Sequence, residues 1–349
     1  RDFCLSRGLG DVYKRQAEPP ALVHVDSLAT GANAHPRLES IFGTGEVTRI
    51  LMRFLAPTPD LKEALEENAD WCDEFRNLTE RTLGFQFDSR ATQAQTIQPK
   101  LWQHLLFSEF AHDLPTALPD SLGELPRAKG TAVQVVLQLC EDLRKSSATK
   151  DAYREAALSV EEQLDLPNEC ANLADLGSLD TFAFEEKRFL SQAVTSIRGR
   201  LFDHAKSIWE IHQDSLWTEE GERNLLWRII ELSLETLSEI TLAEERLRTI
   251  DSTGVELCRL YAAELSKVDR SQRELENAVS QTDQGFEEIE DAVSLVREEY
   301  RKFFNILQES FLRAVRNEGW PFAGVPSNRQ TFDKVVSPLL RNQKRVAYF

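Results

Sequence analysis

Residues of the types that hold metals are densest around His104, Glu109, His112 and Asp113. Two histidines eight apart with an acid between them could share a divalent ion. Helical metal pairs favour spacings of i and i+4, however, and no H-E-x-x-H motif is present. The surrounding LWQHLLFSEF (101–110) is apolar on most sides, which favours a packed or capping His104 over a ligand. His204 and His212 also stand eight apart, on a polar stretch expected to be solvated. Glu185-Glu186 and Glu219-Glu220 are adjacent pairs whose side chains point apart on a helix. Neither pair can flank a bond as acid and base, and a solvated face is expected for both. No G-x-S-x-G elbow occurs, and Asp26-Ser27 and Asp180-Thr181 read as caps or turns. By type and spacing, the chain offers no catalytic, cofactor-binding or metal site.

Bulk properties exclude further classes. The formal net charge is −17, which repels nucleic acid, and no interleaved basic and aromatic patch stands out. No run of 18 apolar residues is present, so no membrane span is expected. No charged segment followed by an apolar one opens the chain as an export signal would. Cys4, Cys72, Cys140, Cys170 and Cys258 are scattered without a C-x-x-C pair. That argues against a disulfide framework and a cysteine zinc site, and for a reducing cytoplasm. The six tryptophans read as core or interface anchors.

The elements that would position these residues are mostly helices, and the chain is expected to be a mainly α, multi-helix scaffold. Thr58-Pro59 starts a helix whose apolar face is Leu61, Leu65, Trp71, Phe75 and Leu78, and Gly84 stops it. Val47, Ile50, Leu51 and Phe54 form a shorter one. Residues 85–97 read as a linker and 115–130, rich in Pro and Gly, as a loop. Helices are expected over Thr131–Arg144, Asp151–Leu164, Phe184–His212 with a kink at Gly199, and Gly221–Leu247. Phe286, Val293, Tyr300, Leu307 and Ala314 recur every seven residues, with Ile289, Val296 and Phe303 between them, a coiled-coil pattern. With the amphipathic Val255–Val279 and a turn at QTDQG (281–285), this predicts a long antiparallel hairpin, one continuous helix being the alternative. Thr331 caps a last short helix, limited by Pro338. Ala21–Val25 and the closing Val346–Phe349 read as strands, the latter the start of a buried central strand.

The opening RDFCLSRGLGDVYKRQ carries a Gly8-Leu9-Gly10 that lacks the strand and helix a phosphate loop needs. CLSRGLGDVYKRQ resembles translated sequencing-adapter read-through, so residues 1–16 are expected to be an artefact standing before a truncated gene. The segments expected are then 1–16, an N-terminal helical region at 17–97, a helical domain at 98–250, the hairpin at 251–318, and the lead-in and first strand of a further domain at 319–349.

Four stretches together resemble one family: LWQHLLFSEFAHDLP (101–115), QLDLPNECANLADLGSLDTFAFEEKRFL (163–190), EGWPFAG (318–324) and RVAYF (345–349). They are similar to the region preceding the catalytic domain of PglZ-domain proteins. These are phosphatase-like members of the alkaline-phosphatase superfamily, associated with bacteriophage-exclusion (BREX) defence. The resemblance covers roughly residue 100 to the end. It implies that the strand beginning VAYF runs on to a metal-binding Asp, so the family's metal and nucleophile positions have no counterpart in residues 1–349. It implies a divalent metal, zinc, for the parent protein and none for this chain. The expected function is that of a helical fragment, without phosphatase activity of its own, docking other subunits of a phage-defence complex. The alternative is a stand-alone helical interaction scaffold with the hairpin as its partner surface.

Overall fold

The computed structural model describes residues 35–67, 69–219, 221–249, 253–325 and 328–345, and among these the chain is mainly helical with no strand. The expected strands at Ala21–Val25 and Val346–Phe349, and the opening 16 residues, lie outside the described residues. The chain divides into two compact units, Arg1–Glu185 and Glu186–Phe349.

In the first unit α1 (Pro36–Phe42), α2 (Val47–Leu55), α3 (Pro59–Glu67) and α4 (Cys72–Leu83) precede the long α5 (Ala94–Asp113), and α6 (Ala132–Lys145) and α7 (Lys150–Gln163) follow it. Helix α5 is central because its residues 101–110 are buried on nearly every side. Leu101, Leu105, Leu106, Phe107 and Phe110 are fully buried, and α2, α3, α6 and α7 all pack on it. Each such side chain contributes roughly 1.5–3 kcal/mol by leaving water.

Two local expectations are corrected. The helix starting at Pro59 ends at Glu67, and a second begins at Cys72. Fully buried Trp71 sits at the join, its indole Nε1–H donating to the Leu65 carbonyl at 3.2 Å. That bond supplies a partner for a carbonyl which a continuous helix would have paired internally. Residues 85–93 are not a detached linker. Phe85 and Phe87 are buried, the Phe85 amide donates to Thr79, and the Cys72 thiol reaches the Thr92 carbonyl at 3.2 Å.

Helix α8 (Ala183–Arg198) spans the division. It stops at Gly199, where Arg200 takes a left-handed φ of 61°, and α9 (Phe202–His212) starts afresh, so the expected kink is a break. The second unit continues with α10 (Arg223–Thr249). Helix α11 (Gly254–Leu260) runs through a π-turn, Tyr261–Leu265, into α12 (Ser266–Val279), and α13 (Phe286–Glu318) follows. The turn at 280–285 reverses the chain between α12 and α13, giving the expected hairpin. Its two arms bury their stripes mainly on α10, which makes the core a three-helix bundle. Ile240, Ala243, Leu257, Leu265, Val268, Phe303 and Leu307 form that core. Most of the heptad is buried as its period predicts, Ile289, Val293, Val296, Phe303, Leu307 and Ala314 among them. Among the described residues the last helical run extends from Asn328 to Arg341, and none of Phe332–Arg341 is buried.

Candidate functional site

The residues with metal-binding potential on α5 diverge. His104 is buried with Nε2 2.9 Å from the Leu83 carbonyl, which only accepts, so Nε2 carries the proton. Burial pulls its pKa down, so the ring is a neutral packing group. His112 is exposed. Asp113 accepts the Ser178 and Leu179 amides at 2.6 and 2.7 Å and the Ser178 hydroxyl at 3.3 Å. That grip explains Gly177, whose φ is +88° and where a Cβ would lie 2.1 Å from the Asp113 carboxylate.

Glu109 is the centre of a buried polar network. The Arg144 guanidinium holds its carboxylate bidentately, Nη2 to Oε1 at 2.8 Å and Nη1 to Oε2. The Thr181 hydroxyl donates to Oε2 at 3.0 Å and the Tyr153 hydroxyl at 3.2 Å, and Arg144 also donates to the Tyr153 oxygen at 2.8 Å. Burial pushes the Tyr153 phenol well up, so it stays a neutral donor, and burial likewise keeps Cys140 a thiol. This arrangement links α5, α6, α7 and the loop before α8. It leaves Glu109 neither a free base nor a free ligand.

The expectation of a solvated face at Glu185-Glu186 is overturned, since both are buried. The two side chains do diverge, as adjacent helical residues must. Glu185 accepts the Phe182 amide at 2.8 Å through Oε2, while Oε1 meets no donor among the described residues. Burial raises its pKa well above the carboxylate range, against the Phe182 amide, and the acids Asp180, Asp113 and Glu109 add to the rise, so it is held protonated.

Glu186 belongs to a second network. It accepts the Trp227 indole N–H at 2.6 Å and the Arg223 guanidinium at 2.8–3.1 Å, and Arg223 continues to both oxygens of Glu288 at 2.7 and 2.8 Å. One arginine thereby joins α8, α10 and α13. His212 is also buried rather than solvated, stacked on Phe189 with centroids 3.8 Å apart and planes 13° apart. His204 and Glu219 are exposed. Asp180-Thr181 proves to be more than a turn, since Thr181 is a donor within the Glu109 network. Cys72, Cys140, Cys170 and Cys258 form no disulfide.

The EGWPFAG stretch has a structural job. Glu318 accepts the Gly254 amide at 2.9 Å at the start of α11. Phe322 is buried, edge-on to Trp320 at 5.2 Å and to Phe311 at 5.6 Å, and a Cβ on Gly254 would stand 2.2 Å from its ring. Only a glycine lets that ring lie on the helix backbone. Glu222 works similarly at the far end of the hairpin, where its carboxylate accepts the Asp283, Gln284 and Gly285 amides at 2.9, 3.4 and 3.1 Å. The Gly285 and Asp283 amides lower its pKa.

No group of three or more His, Cys, Asp or Glu among the described residues is placed to hold a metal ion. Glu109 and Asp113 are held by these hydrogen bonds and are not open to a metal ion. No helix of the described residues is long and apolar enough to cross a membrane. Residue spacing missed Arg144, Tyr153, Arg223 and Glu288. The one available signal was Arg144 itself, one turn past Cys140 on the inward face of α6. No family model, curated protein or solved structure matches the chain.

Proposed function

We propose that this chain is the helical N-terminal part of a PglZ-type protein of a cytoplasmic phage-defence system, lacking a metal site of its own and serving as a docking scaffold for other subunits. The observation that carries the reading is what the polar residues in the family-like stretches do. Glu109, Asp113, Glu186 and Glu318 each bond another helix, a loop or a helix start within their own unit. Their role is to hold helices in place, as a scaffold requires. Most of the large apolar side chains left exposed lie between Leu242 and Leu340, which supports a partner surface in the second unit.

Two measurements test this. The chain is co-expressed with the products of the genes flanking its own and purified by a tag, and a stable complex with at least one of them is expected; purification alone in every combination rejects the scaffold reading. The genomic reading frame tests the parentage. It should run past Phe349 into a strand ending in Asp, whereas a frame closing at Phe349 favours a stand-alone scaffold. Purified chain with zinc or magnesium should not hydrolyse a generic phosphate ester, and clear turnover would contradict the proposal.

A further inference from the structure

One amphipathic element of the second unit keeps its apolar side out of the core. Phe332, Val335, Val336, Leu339 and Leu340 fall at i, i+3, i+4, i+7 and i+8, the spacing of one helix face. The run Asn328–Arg341 that carries them is helical throughout, with a π-turn over Phe332–Val336. In α12 and α13 the apolar face is buried. Here no side chain of Phe332–Arg341 is. Phe332 is 59% exposed, Leu340 49% and Val335 47%, while Val336 and Leu339 are half-buried. The element packs chiefly on its own turns.

The opposite side is basic. Lys334 and Arg341 stand seven residues apart, and so share a side away from the apolar face. Lys344 and Arg345 follow the last turn. All four are exposed, and none pairs with an acid among the described residues. Residues 330–345 hold four Lys and Arg against the single acid Asp333, in a chain whose net charge is −17.

The sign of that charge decides between occupants. A helix seated in a protein groove turns its polar side to water, where acids serve as well as bases. Nucleic acid would engage the cations and leave five apolar side chains in water. An anionic bilayer engages both, since the acyl boundary takes the apolar face and the headgroups attract the cations beside it. The negative charge elsewhere on the chain is screened beyond about 10 Å at ordinary ionic strength. We infer that residues 328–345 are an in-plane anchor that lays this face on the surface of an anionic phospholipid bilayer. The helix lies on the membrane and does not cross it. The inference goes beyond the scaffold reading and does not depend on it.

The test is flotation of the full chain with vesicles of phosphatidylcholine, either alone or with about one third phosphatidylglycerol. The chain should float with the anionic vesicles and not with the neutral ones, and flotation should fall as salt rises. The double changes Val335→Asp/Leu340→Asp and Lys344→Glu/Arg345→Glu should each weaken partitioning tenfold or more. The melting temperature should not move, because all four side chains are exposed. Failure to float, equal flotation with neutral vesicles, or variants that partition like the original chain would overturn the inference. Loss of a co-purifying subunit in these two variants, without vesicle binding by the original chain, would assign the face to a protein instead. If vesicle binding fails while both variants still co-purify with a subunit, the anchor is wrong and the scaffold reading stands.

Discussion

Removing the Arg144 guanidinium while leaving its stem is the sharpest test of the Glu109 network. Arg144→Met strips both charge-assisted bonds from a carboxylate that is 1% exposed. Only the neutral Thr181 and Tyr153 hydroxyls, at 3.0 and 3.2 Å, would remain to it. Breaking a buried pair from one side costs about 3–5 kcal/mol, because the surviving charge stays desolvated. For a unit of this size each kcal/mol lowers the melting temperature by roughly 2–4 °C, so a drop on the order of 10 °C is expected. Lys145→Met is the control. It breaks only the exposed Lys145–Glu141 pair one helical turn apart and should cost under about 0.5 kcal/mol. Glu109→Leu/Arg144→Met, which removes both charges, should recover at least half of the loss. Urea denaturation followed by circular dichroism gives all three values. A loss below about 1 kcal/mol for Arg144→Met, or a double variant no more stable than Arg144→Met, would refute the reasoning.

The remaining predictions concern pH, packing and the hairpin turn. Burial holds Glu185 protonated in the fold well above the value near 4.3 at which an ordinary glutamate ionises. As pH rises past that value the unfolded chain loses the proton and the folded one keeps it. Stability should therefore fall by about 1.4 kcal/mol per pH unit from this group until the folded carboxyl ionises. Glu185→Gln should remove that descent, and an unchanged stability–pH profile would exclude a protonated Glu185. Gly254→Ala drives a methyl into the Phe322 ring and should cost about 1–3 kcal/mol by thermal melting, partly restored by adding Phe322→Leu; an unaltered melt would show the contact is slack. Glu222→Ala frees the Asp283 and Gly285 amides, so protease cleavage at 281–285 should accelerate, and equal cleavage rates would dismiss the carboxylate as the pin of this turn.

The sequence by itself determined the elements whose cause is local. The all-round apolar 101–110 can satisfy its surface only as a central helix, and α5 is that helix. Thr58-Pro59 marks the start of α3 and Gly84 the stop of α4 through backbone chemistry that needs no distant partner, whereas the break between them at Trp71 was not legible. The seven-residue repeat in α13 predicts which side is buried, because period 3.5 places those residues on one stripe. It does not predict what covers the stripe, and α10 supplies much of that cover in place of the hairpin partner alone. Charged residues behave differently. Glu185, Glu186 and His212 read as solvated because an isolated charge or polar ring is costly to bury. Their burial is decided by groups far along the chain or by the surrounding core: Arg223 and Trp227 reach Glu186 from 37 and 41 residues away. Likewise Arg144, Tyr153 and Thr181 reach Glu109 from 35, 44 and 72. No local period encodes such pairings. Only the tertiary fold brings the donors to the carboxylates, and only then does the desolvation penalty turn from a prohibition into a fixed, buried hydrogen-bond network.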